Sequence, residues 1–232
     1  MTGTLYGVGV GPGDPELVTL KAVRVIRECP VLAYPAPIEG ESMARAIAAP
    51  HIGEGKAEVA IRLPFTPERG DTEDRYDRAA DTLSGHLAEG RDVALLCLGD
   101  PLLYGTFAHV MARIAGRFSV AVIPGVTSLS AAAAAAALPL AIREESLAVV
   151  PATLDEESIS ARIAAADSVA IVKVGRHLAK LRRVIDRLGL SAQARYVEFA
   201  ATGAERVRRL ADVAEADSAY FAVVLLRKGS FP

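Results

Sequence analysis

Tryptophan is absent from this 232-residue sequence, the aromatics together supply 5% of it, and there are only two cysteines and four histidines. Cys29 and Cys97 lie far apart in apolar segments, which excludes a disulfide framework and reads as reduced core thiols, natural to the cytoplasm. His51, His86, His109 and His177 form no His-x-x-x-His pair and neither cysteine sits in a Cys-x-x-Cys, so no structural metal is expected. There is no lysine-rich arm and no basic run interleaved with aromatics, and the net charge is −2, which argues against a nucleic-acid partner. The alanine-rich stretch 131–137 is too short and too weakly apolar to span a bilayer, and no basic-then-apolar export segment opens the sequence, so no membrane association is expected.

What is present is an alternation. Hydrophobic residues make up 51% and charged residues 23%, and the charges are dispersed as in a globular protein. Short aliphatic or β-branched runs at 5–10, 31–34, 93–98, 120–123, 147–150, 169–174, 195–199 and 220–226 are read as strands. Amphipathic stretches at 16–27, 74–88, 102–115, 156–165 and 178–188 are read as crossover helices. The pattern predicts an α/β fold of two domains with largely parallel or mixed sheets and a cleft between them, residues 1–117 and 118–232. Segments 35–40 and 64–70 are loops by their proline and glycine content, either covering a site or connecting in solvent.

Three turns carry the chemistry. The first, Gly7-Val8-Gly9-Val10-Gly11-Pro12-Gly13-Asp14-Pro15, follows a strand and precedes a helix. Asp14 is placed as N-cap and Pro15 as first helical residue. The spacing is wrong for a dinucleotide fingerprint, because the third glycine position is Pro12 counted from Gly7 and Asp14 counted from Gly9. No acidic ribose-binding residue stands at the end of a second strand either, so a nicotinamide-dependent oxidoreductase is disfavoured; a non-catalytic ligand-binding protein stays open. The second turn, Leu98-Gly99-Asp100-Pro101-Leu102-Leu103-Tyr104-Gly105-Thr106, follows an apolar strand. Asp100 reads equally as an N-cap and as a ligand-facing carboxylate, and Gly99 stands where open α/β sheets place ligands. The third, Ile123-Pro124-Gly125-Val126-Thr127-Ser128, offers two hydroxyls at a helix start beside a Pro-Gly turn.

In this order and at these separations, the three turns resemble the signature of tetrapyrrole methylases over essentially the whole chain. Within that family, Tyr34-Pro35-Ala36-Pro37, Thr66-Pro67-Glu68-Arg69-Gly70, Val149 to Leu154, Lys173-Val174-Gly175-Arg176-His177, Tyr196-Val197-Glu198 and Tyr220-Phe221 are similar to members that methylate precorrin-2 at C20. Leu98 departs from the glutamate expected in many members of the aerobic pathway.

The resemblance implies S-adenosylmethionine as methyl donor, a tetrapyrrole substrate and a homodimer. It implies that Pro12, Leu98, Gly99, Asp100, Leu103, Thr127, Ser128, Val174 and Ala200 line the cofactor site. Tyr104 and Asp100 are the candidates for positioning or proton handling. Arg45, Arg69, Lys173 and Arg176 are the candidates for the substrate's carboxylates. Cobalt-factor II and uroporphyrinogen III are the alternative substrates that the resemblance leaves open.

Overall fold

Val93-Ala94-Leu95-Leu96-Cys97 is apolar at every position, the pattern of a strand covered on both faces, and all five residues are buried. A computed structural model describes residues 1–64 and 69–229, and of residues 69–71 the backbone alone. The chain divides into two compact units, Met1–Thr127 and Ser128–Pro232.

The first unit runs β1 (Thr4–Gly9), α1 (Leu20–Glu28), β2 (Val31–Pro37), α2 (Met43–Ala48), β3 (Ala57–Leu63), α3 (Arg69–Ala88), β4 (Val93–Cys97), α4 (Phe107–Ile114) and β5 (Ser119–Ile123). Its sheet has the order β3-β2-β4-β1-β5, and all pairings are parallel. Side-chain alternation sends Leu5, Val93, Leu95 and Cys97 into one core with α3 and α4, and Val8, Ala94 and Leu96 into another with α1 and α2. The chain leaves β1 toward β2 on one side and leaves β4 toward β5 on the other. Adjacent β1 and β4 therefore form a topological switch point, where open sheets leave a crevice beyond the strand ends.

The second unit runs α5 (Ser128–Ala135), β6 (Leu147–Pro151), α6 (Glu156–Ala165), β7 (Ser168–Val172), α7 (Leu178–Arg187), β8 (Ala194–Glu198), β9 (Arg206–Arg209) and β10 (Ala222–Arg227). Its sheet, β6-β7-β10-β8-β9, is mixed: β6 and β7 are parallel, and β10 is antiparallel to both β7 and β8. Hence β7 and β8 point the same way, and the residues just beyond them, Val174 and Ala200, leave from one edge. In α7 the buried Leu178, Leu181, Val184 and Ile185 keep helical spacing and face the core.

The division falls after Thr127 rather than Arg117, because β5 pairs with β1 and completes the first sheet. Strand β2 continues through Pro35 and Pro37, which were read as loop. Its pairing with β4 ends at Ala33, so the prolines fall where the strand has only β3 beside it and the missing N–H costs no second ladder. The expected helix 16–27 is broken into a 3-10 turn, Pro15–Leu17, and α1, with Thr19 accepting from the Ala22 amide at 3.2 Å. Helix 102–115 begins only at Phe107, whose ring packs where any side chain on Gly7 would stand.

Burial pushes the thiols of Cys29 and Cys97 up to about 12. Both thiols are therefore expected to resist a thiol reagent at pH 8 in the native protein and to react promptly in denaturant. Rapid native-state labelling, read by mass spectrometry, would show that one of them is poised as a thiolate.

Candidate functional site

At the switch point the three turns fuse. Gly11 and Gly99 form an isolated antiparallel bridge: the Gly99 amide donates to the Gly11 carbonyl at 2.8 Å, and the Gly11 amide donates back at 3.4 Å. The third turn lies directly on this bridge. A Cβ on Gly125 would fall 2.2 Å from the Gly99 carbonyl oxygen, and one on Gly9 would fall 2.5 Å from the Gly125 nitrogen. Both contacts are with backbone, which cannot swing aside. These glycines are therefore demanded by backbone-on-backbone packing of the turns, rather than by a ligand alone.

Gly99 itself has φ +70°, a left-handed conformation in which a β-branched side chain is strained whatever lies beside it. Its lack of a Cβ is thus explained by backbone geometry first.

Asp100 locks the assembly. Its Oδ1 accepts from the Leu102 amide at 2.9 Å, and its Oδ2 accepts from the Gly125 amide at 3.1 Å, so one carboxylate closes the second turn and ties it to the third. The cap expected from sequence is present, but the residues after it do not become helical. Tyr104 sits at φ +56° and is half exposed. A bulky residue in this region is a true outlier, held by its surroundings. Gly105 behind it admits no side chain, since a Cβ there would meet the Pro101 carbonyl at 2.7 Å.

Among the expected cofactor residues, Pro12 and Gly99 are buried and Leu98, Leu103 and Thr127 are half-buried, all at the C-terminal ends of β1, β4 and β5. Ser128 opens α5 in the second unit and is exposed. Val174 is fully buried just beyond β7, and Ala200 is half-buried just beyond β8. Strained backbone recurs at this edge: Lys173 has φ +58°, Phe199 +49° and Ala201 +60°.

The four basic candidates are placed differently. Arg45 is already neutralised, because its Nε and Nη2 donate to the two oxygens of Glu58 at 2.6 and 2.8 Å. Tyr34 also donates to Glu58 at 2.8 Å, and the guanidinium holds the Glu58 carboxyl below its usual range. Arg45 is therefore withdrawn as a carboxylate receptor. Arg69 opens α3, but its side chain lies outside the described residues, as does the 65–68 segment. Lys173 and Arg176 are both exposed at the edge that carries Val174. Arg176 Nε lies 3.4 Å from His177 Nε2, and partial burial, then Lys180 and Arg176, keep that imidazole below its ordinary pKa and hence neutral at pH 7.

A parallel sheet followed by a mixed sheet, in two α/β units, is a fold shared with solved C-methyl transferases of tetrapyrroles. The family model "Tetrapyrrole (Corrin/Porphyrin) Methylases" matches residues 4–215, and the chain belongs to that family. It is 38% identical to a precorrin-2 C(20)-methyltransferase from a Sinorhizobium species, over 97% of this chain and 95% of the relative. It is 30% identical to a Salmonella typhimurium cobalt-precorrin-2 C(20)-methyltransferase, over 98% of both. The cobalamin biosynthesis protein CobIJ of Mycobacterium tuberculosis is 44% identical over 98% of this chain, which spans only 46% of that protein's length. Among solved structures, the uroporphyrin-III C-methyl transferase of Thermus thermophilus complexed with S-adenosyl homocysteine aligns with a TM-score of 0.71. It has 27% identity and covers 97% of this chain and 98% of the other.

The sequence reading missed the contact between the turns at Gly9 and Gly125, since nothing in a linear sequence says that two glycines touch. The matching Pro-Gly and Gly-x-Gly turns were the available signal.

Proposed function

We propose that this chain transfers a methyl group from S-adenosylmethionine to C20 of precorrin-2, giving precorrin-3A in corrin biosynthesis. The observation that carries the reading is near-full-length similarity to a relative of that name, in a chain whose signature turns meet at the sheet's switch point.

The turns suit the cofactor. In the first unit the half-buried Leu98 and Leu103 offer apolar surface and Asp100 a carboxylate. Such a lining suits a ligand with an apolar heterocycle and positive charge on sulfur and on an ammonium. Pro12, Leu98, Gly99, Asp100, Leu103, Thr127, Ser128 and Ala200 are the residues proposed to hold it, together with the turn that buried Val174 anchors. When bound, the cofactor supplies a methyl group on a sulfonium, an electrophile that leaves as a neutral thioether.

The chain's own work is alignment and exclusion of water, because an enamine-like meso carbon attacks without an activating base. Asp100 acts by position: both of its oxygens are engaged by backbone amides, so it holds the platform and moves no proton. Tyr104 is the group for contact with the macrocycle and for relaying the proton lost from C20 after transfer, its hydroxyl passing its own proton on to solvent as it takes up the other. Lys173 and Arg176 receive substrate carboxylates. The same reading makes the protein a homodimer of the cytoplasm; two buried thiols accord with a reducing compartment, and no described helix is long and apolar enough to cross a membrane.

Incubation with methyl-labelled cofactor and each candidate macrocycle, followed by carbon NMR, is the test. A new methyl at C20 of precorrin-2 is expected, and a methyl elsewhere, or saturable NAD binding with no transfer, would overturn the reading. Similarity to the cobalt-precorrin-2 relative favours a second substrate methylated at the same carbon, and the same assay with the cobalt macrocycle ranks the two.

A further inference from the structure

The short segment before β10 makes an unusual series of bonds. Asp217 pairs with Arg208 of β9 at 3.7 Å. The Ser218 hydroxyl donates to the Gly175 carbonyl at 2.7 Å, and the Ala219 amide donates to the Tyr196 hydroxyl of β8 at 2.8 Å. Two residues on, the Phe221 carbonyl accepts from the Phe199 amide at 2.9 Å. Within five residues the chain is thus tied to β9, to the turn after β7, to β8 and to the turn after β8. It forms a strap across the sheet edge that carries Val174 and Ala200.

The tie at Ser218 has a specific task. The turn it meets holds Lys173 at φ +58° and Gly175 at φ +21°, with Val174 buried in the core between them. A lysine in the left-handed region pays a conformational penalty that its surroundings must outweigh. The Ser218 hydroxyl reaches this turn from 43 residues away in sequence and fixes the carbonyl on its far side. The His177 amide closes the turn locally by donating to the Val174 carbonyl at 2.7 Å, so loss of the Ser218 bond loosens the turn from its Gly175 side.

We propose that Ser218 is a positioning residue for cofactor binding: through Gly175 it holds the strained Lys173–Gly175 turn, which buried Val174 anchors, in the conformation that the cofactor meets. This rests on the assignment of the turn at Val174 to the S-adenosylmethionine site.

Three variants and two readouts test it, using the full chain and S-adenosylhomocysteine as probe. In Ser218→Ala the amides of residues 173–178 are expected to exchange with deuterium faster, and the probe to bind about tenfold more weakly, the effect of one lost hydrogen bond. The unfolding midpoint should shift by only about 2–4 °C. Ser218→Thr keeps the hydroxyl and should restore both readouts. Lys173→Gly added to Ser218→Ala should restore affinity, because glycine adopts the left-handed conformation without needing to be held.

If exchange at 173–178 is unchanged in Ser218→Ala, the positioning role is overturned whatever the cofactor does. If exchange rises while probe affinity stays at the wild-type value, the turn does not serve the cofactor, and the proposal again falls. If the wild-type chain fails to bind the probe at all, it is the functional reading that fails, and the exchange data still report on the strap.

Discussion

Gly125→Ala is expected to lose cofactor binding by at least about tenfold and to unfold on the order of 2–12 °C earlier than the wild type. The added methyl would stand 2.2 Å from the Gly99 carbonyl oxygen and 2.8 Å from the Gly9 Cα, both backbone atoms. Overpacking against atoms that cannot rotate away costs about 1–3 kcal/mol or more, and in a chain of this size each kcal/mol moves the midpoint by about 2–4 °C. The turn must therefore move off the Gly11–Gly99 bridge, and in doing so it withdraws the Gly125 amide from Asp100. Calorimetric unfolding, with cofactor titration on the folded fraction, measures both effects. A variant with wild-type stability and affinity would mean that the turns are not mutually packed as described.

Tyr104→Gly is expected to separate function from stability. Glycine relieves a left-handed conformation that costs a side-chain-bearing residue about 1–2 kcal/mol, set against about 0.5–1 kcal/mol of extra unfolded-chain entropy. The buried half of the side chain is given up as well, so relief of the backbone and loss of contact oppose each other. The unfolding midpoint should accordingly stay within about 2–4 °C of the wild type. Methyl transfer should fall at least about tenfold, because a positioned ring and hydroxyl are removed from the site. Tyr104→Phe keeps the backbone penalty and the ring, and so isolates the hydroxyl: a rate loss of similar size in both variants assigns proton handling, whereas a rate loss confined to the glycine variant assigns contact. Unchanged turnover in both would remove Tyr104 from the mechanism and leave its φ of +56° as a purely structural feature.

These two cases show where linear reasoning stopped. The strand runs and the three turns were legible because strand, turn and cap are local: apolar 93–97, the glycines after it and Asp14-Pro15 act within a few residues of one another. Strands β3 and β9 were not read. β3 is an edge strand with four of its seven residues exposed, and β9 is Arg-Val-Arg-Arg, so neither carries an apolar run. The basic candidates were read from charge alone, and only the fold shows that Glu58 has taken Arg45 while Lys173 and Arg176 stand exposed.

By itself the sequence determined the α/β class, the order of the glycine turns and the family they belong to, since each rests on residue types at fixed short spacing. The tertiary structure decided that β5 belongs to the first sheet, that Gly9, Gly99 and Gly125 serve one another's backbones, and that Asp100 is a clamp. Those outcomes depend on atoms brought together from positions far apart in the chain, and contacts of that kind are set by how the sheet is ordered, which no local pattern encodes.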